Sequence, residues 1–144
     1  MFAAGSTLAE PRLAEYADVD TSAVTLRLPG GALVQIDCTR RTGYGYDERI
    51  EVLGSEGMVE ARRHRTGAVS RYRGAAVVDD GMPPGWFERV RPTYAAELAH
   101  FVAALESGDG ITPSLDDGLK AQAIAEAATR SLRSGRSEPI DYPA

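Results

Sequence analysis

The chain has 144 residues, of which 43% are hydrophobic, and a formal net charge of −5. This length fits a single domain spanning residues 1–144, and the acidic balance argues against nucleic acid or an anionic membrane as a partner, because phosphate affinity comes from clustered Lys and Arg. Cys38 is the only cysteine, which excludes an intrachain disulfide and a cysteine-rich metal site and favours a reducing, cytoplasmic compartment.

We expect neither a membrane-spanning segment nor a signal peptide in this sequence. Apolar runs in the chain fall short of the ~20 residues that cross a bilayer, and Met1 to Gly5 lack the basic start and long apolar centre of a secretory leader. Residues 2–8 already have the composition of a strand. We therefore expect that part of the protein precedes this chain.

A β-hairpin is the first clear element. Apolar and polar residues alternate on both sides of the turn at residues 29–31, and the apolar set is Val24, Leu26, Leu28, Val34, Ile36 and Cys38. A period of two predicts antiparallel strands with one buried face. The other face carries polar side chains, namely Thr25, Arg27, Gln35 and, from the next strand, Glu51.

Further strands and two helices follow. Residues 48–53 predict a strand with Ile50 and Val52 inward, the turn at 54–57 returns the chain into a strand over 58–62, and weaker strands cover 68–72 and 75–78. Apolar spacing from Tyr94 to Leu105 predicts a helix that ends at Ser107-Gly108. A second helix begins at the N-cap Ser114 and ends near Gly135.

This order of elements predicts an α+β fold. Strands followed by helices are typical of a mostly antiparallel, open β-sheet with helices packed on one face. The other face then meets water or a second subunit.

The usual catalytic motifs are missing from the sequence. The turn at residues 54–57 lacks the spacing of a nucleophile elbow, and Gly43-Tyr44-Gly45 precedes a strand and lacks the third glycine of a dinucleotide loop. His64 and His100 are isolated, and His100 is expected to be a packed histidine on its helix. The acidic pair Asp79-Asp80 is interpreted as loop residues that only aid solubility. Asp116-Asp117 is interpreted as an acidic first turn that interacts favourably with the helix dipole.

The turn over residues 44–49 offers the best ligand site. Tyrosines two residues apart in extended backbone point to the same side, so Tyr44 and Tyr46 could converge on one small ligand. A phenol is both donor and acceptor, which suits a polyol; the alternative is that the two rings pack at the rim of a sheet.

Arg40 and Arg41 adjoin this turn. Either could orient a ligand oxygen or pair with Asp37 or Asp47, and Arg41 is the better candidate for an ion pair. The basic run at residues 62–65 is interpreted as a solvated strand and turn.

Several motifs resemble one enzyme family. The segments Asp18 to Leu26, Ile36 to Arg40, Tyr44-Gly45-Tyr46-Asp47-Glu48-Arg49 and Glu51 to Gly57 are similar to the carboxy-terminal domain of inositol 2-dehydrogenases in the Gfo/Idh/MocA oxidoreductase family. The helix motif from Tyr94 through Glu97-Leu98 to Ala104-Leu105, with Asp117 to Ala121, resembles the two closing helices of that family.

The resemblance implies a two-domain, NAD(P)-dependent enzyme whose second domain binds substrate and forms subunit contacts through its open sheet. It implies that Tyr44 and Tyr46 lie at a pocket for a small polyol, and we assign Arg40 to the same site because it adjoins the turn. The cofactor domain, the catalytic lysine and an Asp-x-x-x-His pair have no counterpart in this sequence, so we expect that the chain alone binds no cofactor and no metal and is inactive.

Two hypotheses remain. The chain is the substrate-binding and subunit-contact domain of a polyol dehydrogenase whose other half is absent from this chain, through a truncated or a split gene, or it is a non-catalytic self-association module descended from one. The tyrosine turn favours the first.

Overall fold

The computed structural model describes residues 1–143. Contacts divide the chain into two compact units, the first made of Met1–Arg41 and the residues from Gly110 onward, and the second of Thr42–Asp109. The single-domain assignment stays a prediction. In chain order the elements are β1 (Phe2–Ser6), a 3-10 helix (Pro11–Tyr16), β2 (Thr21–Arg27), β3 (Leu33–Thr39), β4 (Ile50–Gly54), β5 (Gly57–Ala61), β6 (Ser70–Arg73), β7 (Ala76–Asp79), α1 (Trp86–Ser107) and α2 (Leu115–Ser134).

The first unit contains a three-stranded antiparallel sheet in the order β1-β2-β3. Val24 pairs with Ile36 and Leu26 with Val34, as the alternation predicts. The register follows from the pattern because a slip of one residue would move every apolar side chain to the opposite face. The 3-10 helix was not predicted, since so short an element has no detectable period.

Helix α2 starts and ends where the sequence predicts. The Ser114 hydroxyl accepts the N–H of Asp117 at 3.3 Å, and the Asp117 carboxylate accepts the N–H of Ser114 at 2.8 Å, which forms a capping box. At the other end Gly135 adopts a φ of 66°, a conformation that glycine enters without steric cost.

Small side chains join α2 to β1. Ala123 and Ala127 of α2 are buried, as are Ala3 of β1 and Leu26 of β2. Ser131 is fully buried, and its hydroxyl accepts the N–H of Ala3 at 2.9 Å and donates to the carbonyl of Arg136 at 2.6 Å. One hydroxyl thus satisfies a strand donor and a helix-end acceptor that would otherwise be buried without partners.

A buried carboxylate organises the loop before β2. The Asp20 side chain accepts the N–H groups of Ala9 and Glu10, both at 2.8 Å, and the hydroxyl of Thr21 at 2.7 Å. The Glu10 N–H, followed by the Thr21 hydroxyl, holds the pKa of Asp20 below its ordinary value, because these donors stabilise the charged form.

The second unit consists of two antiparallel hairpins, β4–β5 and β6–β7, and helix α1. Both hairpins match the predicted strands within two residues. Helix α1 begins earlier than Tyr94, at Trp86, and ends at Gly108 with a φ of 75°, as predicted. Three small antiparallel sheets and two helices confirm the α+β fold class.

Several burial predictions were wrong. Leu28, Ile36 and Cys38, placed on the buried face of the first hairpin, are exposed, Leu28 at 39% and Ile36 at 40%. Ile50 and Val52, expected to face inward, are 60% and 59% exposed. Other large apolar side chains of the β4–β5 hairpin and of α1 are also exposed, namely Leu53, Met58, Val59, Tyr94, Leu98, Phe101, Val102 and Leu105. Alternation identifies the side chains that share a face, but burial needs a second layer against that face, and within the described residues β4–β5 pairs only as a two-stranded sheet.

Of the helices within residues 1–143, none combines the length and the apolar character that a membrane-spanning helix needs.

Candidate functional site

The tyrosine turn lies in the second unit, between β3 and β4. Gly45 has a φ of +116°, and a side chain there would come within 2.9 Å of the Met82 Cβ and 3.0 Å of the Pro83 carbonyl oxygen. The N–H of Tyr46 donates to that carbonyl at 2.8 Å. The segment before α1 therefore holds this turn in place, and only glycine fits at position 45.

The prediction that Tyr44 and Tyr46 point to the same side rested on an extended backbone, which the structure does not have here. The backbone over residues 43–45 is a turn, so the rule that residues two apart in a strand share a side does not apply to Tyr44 and Tyr46. The reason is the left-handed conformation of Gly45. Tyr44 is 59% exposed, whereas Tyr46 is half-buried, and within residues 1–143 its hydroxyl has no hydrogen-bond partner.

Asp47 lies at the centre of a polar group that we call the Asp47 cluster, made of Tyr44, Asp47, Arg49 and Arg63. The Asp47 side chain is only 6% exposed. The Tyr44 hydroxyl donates to Oδ2 at 3.1 Å, Arg63 Nε donates to both carboxylate oxygens at 3.1 and 3.0 Å, and Arg49 Nε lies 3.7 Å from Oδ2. Two guanidinium groups thus compensate one nearly buried carboxylate.

The link from Asp47 to Arg63 was not predicted, although the sequence carries a signal for it. The hairpin register pairs Ile50 with Ala61. Two more steps along this register bring Arg63 opposite Glu48, next to Asp47.

Arg40 belongs to the first unit. Its guanidinium donates to the Asp18 carboxylate at 2.7 Å, and its N–H donates to the carbonyl of Asp20 at 2.8 Å. The ion pair that was expected at Arg41 with Asp37 or Asp47 therefore forms at Arg40, with Asp18, because the end of β3 lies beside the loop that precedes β2. A role for Arg40 in ligand binding remains a prediction.

The basic run has carboxylate partners. Its ion pairs, and those of the following strand, are Arg62–Glu60 at 2.8 Å, Arg63–Asp47 at 3.0 Å, Arg65–Asp79 at 2.9 Å and Arg71–Asp80 at 3.5 Å. Asp80 also accepts the N–H of Val69 at 2.9 Å. Asp79 and Asp80 are therefore structural residues of the β6–β7 hairpin, and their interpretation as loop solubility was wrong.

His100, expected to be packed on α1, is exposed. Within the described residues no group of three or more His, Cys, Asp and Glu side chains is arranged to hold a metal ion.

The glycine turn at Gly45 and the amino terminus of α1 are both unsuited to a dinucleotide phosphate. At Gly45 the backbone is packed against Met82 and Pro83, which lie within 2.9 and 3.0 Å of where a side chain would begin. Strand β7 does lead into α1, but through Pro83 and Pro84, and the first turn of α1 carries Glu88. An acidic side chain at a helix amino terminus repels the pyrophosphate that such a terminus otherwise attracts.

Comparison with known proteins decides the family. Residues 1–141 match the family model described as the oxidoreductase family, C-terminal alpha/beta domain. The chain belongs to the Gfo/Idh/MocA oxidoreductases, as their C-terminal domain. The resemblance inferred from the sequence motifs is thereby confirmed.

Gfo/Idh/MocA relatives extend well beyond this chain. Myo-inositol 2-dehydrogenase of Thermotoga maritima is 39% identical over 98% of this chain and 42% of its own length. A scyllo-inositol 2-dehydrogenase (NAD(+)) of Bacillus subtilis is 28% identical over 95% of this chain and 40% of its own length. The chain thus spans less than half of these relatives.

A solved relative has the same fold. The crystal structure of a myo-inositol dehydrogenase from Corynebacterium glutamicum superposes with a TM-score of 0.88 at 34% identity, covering 99% of this chain and 43% of that one. The α+β architecture is therefore that of the second domain of a Gfo/Idh/MocA dehydrogenase.

Proposed function

We propose that this chain is the substrate-binding and subunit-contact domain of a cytoplasmic, NAD(P)-dependent dehydrogenase that acts on an inositol-like polyol, and that it is inactive without a cofactor-binding partner domain. The observation that carries the proposal is the tyrosine turn, in which Tyr44 is held by a nearly buried carboxylate while its ring is exposed. The names of the relatives support an inositol as the substrate class.

The hydroxyl chemistry of the turn suits a neutral polyol. A phenol forms hydrogen bonds as donor or acceptor without adding charge, and the two guanidiniums of the Asp47 cluster are already paired with Asp47. A phosphorylated or carboxylated substrate would instead call for an uncompensated arginine. The turn therefore binds and orients hydroxyl groups.

The cofactor belongs to the partner domain. NAD in the name of one relative supports a nicotinamide cofactor, but the described residues of this chain do not fit it. Their part in the reaction is to bind the polyol and hold its orientation, and the choice between NAD and NADP is made by residues that read the ribose in the partner domain.

The test uses a chimera, in which the whole chain replaces the matching carboxy-terminal part of the Thermotoga enzyme. Tyr46→Phe in this chimera should lower kcat/KM for myo-inositol about three- to tenfold, because it removes one hydrogen bond to a neutral hydroxyl worth about 0.5–1.5 kcal/mol. The melting temperature should stay the same. Steady-state kinetics and thermal unfolding measure the two quantities.

Tyr72→Phe is the matched control, since Tyr72 is an exposed tyrosine of β6 in the same unit; it should change neither quantity. Unchanged kinetics in both the Tyr44→Phe and Tyr46→Phe chimeras, or a wild-type chimera without turnover, would defeat the proposal. The isolated chain mixed with myo-inositol and NAD should produce no NADH.

A second candidate, a non-catalytic self-association module, is favoured by the exposed apolar side chains of β4–β5 and α1. Surfaces of this kind mark interaction sites. Both candidates include a homo-oligomer, formed through the face of the β1-β2-β3 sheet that carries Thr25, Arg27 and Gln35. Glu51, which the sequence analysis placed on the same face, lies instead on β4 in a separate sheet. Concentration-dependent mass measurement tests it, and a strict monomer at high concentration contradicts it; activity of the chimera then separates the two candidates.

A further inference from the structure

The hydrogen bond between Tyr44 and Asp47 has a direction. A phenol has one hydrogen to donate and lone pairs to accept with, whereas a carboxylate paired with guanidinium groups, as Asp47 is, only accepts. The Tyr44 hydrogen is therefore directed to Asp47 Oδ2, at 3.1 Å. The lone pairs of the Tyr44 oxygen can still accept a hydrogen bond from a ligand.

Asp47 is held so that this direction persists. Arg63 Nε donates to both carboxylate oxygens of Asp47, at 3.1 and 3.0 Å, and the Asp47 side chain is 6% exposed. If the Asp47 carboxylate rotated away from Tyr44, it would lose its hydrogen bonds with Arg63 and leave a nearly buried charge without them. The Tyr44 ring, by contrast, is exposed and accessible to a ligand.

We propose that Asp47 is a positioning residue that makes Tyr44 a hydrogen-bond acceptor toward the substrate, so that this part of the site selects a hydroxyl group that can donate. The inference rests on the proposed function and deepens it. A ligand with a keto or ether oxygen at this position would place acceptor against acceptor and bind more weakly.

A double-mutant cycle in the chimera tests the inference. Asp47→Asn replaces the carboxylate by an amide that can donate to Tyr44 and release the phenol hydrogen, so the direction is no longer set. We expect KM for myo-inositol to rise about three- to tenfold with kcat nearly unchanged, as for the loss of one neutral hydrogen bond. In a Tyr44→Phe background the same substitution should have no further effect, since the group that Asp47 orients is gone.

Glu60→Gln is the matched control. Glu60 pairs with Arg62 at 2.8 Å in the same hairpin, and its loss of charge should leave KM unchanged. A purely structural role for Asp47 would lower the melting temperature and raise KM equally in both backgrounds.

The outcomes separate the inference from the proposed function. If Tyr44→Phe leaves KM unchanged, Tyr44 does not contact the substrate and the inference fails; the proposed function fails with it only if Tyr46→Phe also leaves the kinetics unchanged. A second case is that Tyr44→Phe raises KM. If Asp47→Asn then leaves KM unchanged, or raises it by the same factor with and without Tyr44, only the inference is overturned. Should Asp47→Asn fail to fold, Arg63→Met loosens the carboxylate instead, and it must raise KM only when Tyr44 is present.

Discussion

The two units of this chain are stabilised by different means. In the first unit Leu26, Ala127 and Ser131 are buried, and a capped helix packs on a three-stranded sheet. In the second unit Pro83 and Ala104 are the buried residues, while its hairpins and turns are joined by ion pairs and hydrogen bonds such as those of Asp47 and Asp80.

This difference is what we expect if the first unit is the stable frame and the second carries the proposed binding site. Apolar burial contributes most of the free energy of folding, whereas ion pairs whose arginines are exposed, as those of Asp47 and Asp80 are, contribute less. Polar groups held at an accessible turn are what a binding site needs, and sites are commonly drawn from less stable segments. The tyrosine turn accordingly lies in the unit that has fewer buried side chains.

The largest expected effect comes from a pair of leucines. Leu26 is 3% exposed and Leu53 is 78% exposed, and both lie on strands. Leu26→Ala should lower the free energy of unfolding by about 2–5 kcal/mol, because it removes buried methylene groups and leaves a cavity. Leu53→Ala should cost about 0.5 kcal/mol or less. Denaturant unfolding of the chain followed by circular dichroism measures both.

Equal losses in the two leucine variants would contradict the comparison, since they would show that Leu53 is covered in solution. The same measurement at two protein concentrations then tests whether a second copy covers it.

A smaller effect is expected at the tyrosine turn. Gly45→Ala forces a side chain into a left-handed conformation and against Met82 and Pro83, so it should cost about 1–3 kcal/mol. Gly43→Ala is the control, because a side chain there meets no atom of the described residues within 4 Å. If the two variants unfold alike in denaturant, the turn is not held by the segment before α1.

Acid should weaken the first unit through Asp20 and Asp117. The N–H groups of Glu10 and Ser114, respectively, hold the pKa of each carboxyl below its ordinary value. The stability that these bonds contribute is fully present above the unfolded pKa of about 3.9, and is lost as pH falls through the lower folded pKa. The melting temperature should fall between about pH 5 and pH 2, and the fall should be shallower in Asp20→Asn. An equally steep fall in that variant would contradict the assignment.

The sequence predicted the local elements well, because their signals act over a few residues. Ser114 and Asp117 cap a helix wherever they stand in this spacing, and the glycines at positions 108 and 135 end helices for the same local reason. Alternation across residues 24–38 was sufficient for the strand register.

The sequence also drew attention to Tyr44 and Tyr46, but for a reason that the structure overturned. Strand periodicity does not hold where Gly45 turns the backbone, and that turn depends on Met82 and Pro83, far along the chain. The hydrogen bonds from Arg63 to Asp47 likewise join residues that are separated along the chain by the β4–β5 hairpin.

By itself, then, the sequence determined the helix caps, the hairpin register and the family of this chain, since each depends on short spacings or on motifs that can be read in order. Only the tertiary structure decided that Tyr44 is tied to a nearly buried Asp47 and that Ile50 and Val52 are exposed. Contacts between distant segments, and the presence or absence of a covering layer, depend on how elements pack, and local spacing carries no record of that packing.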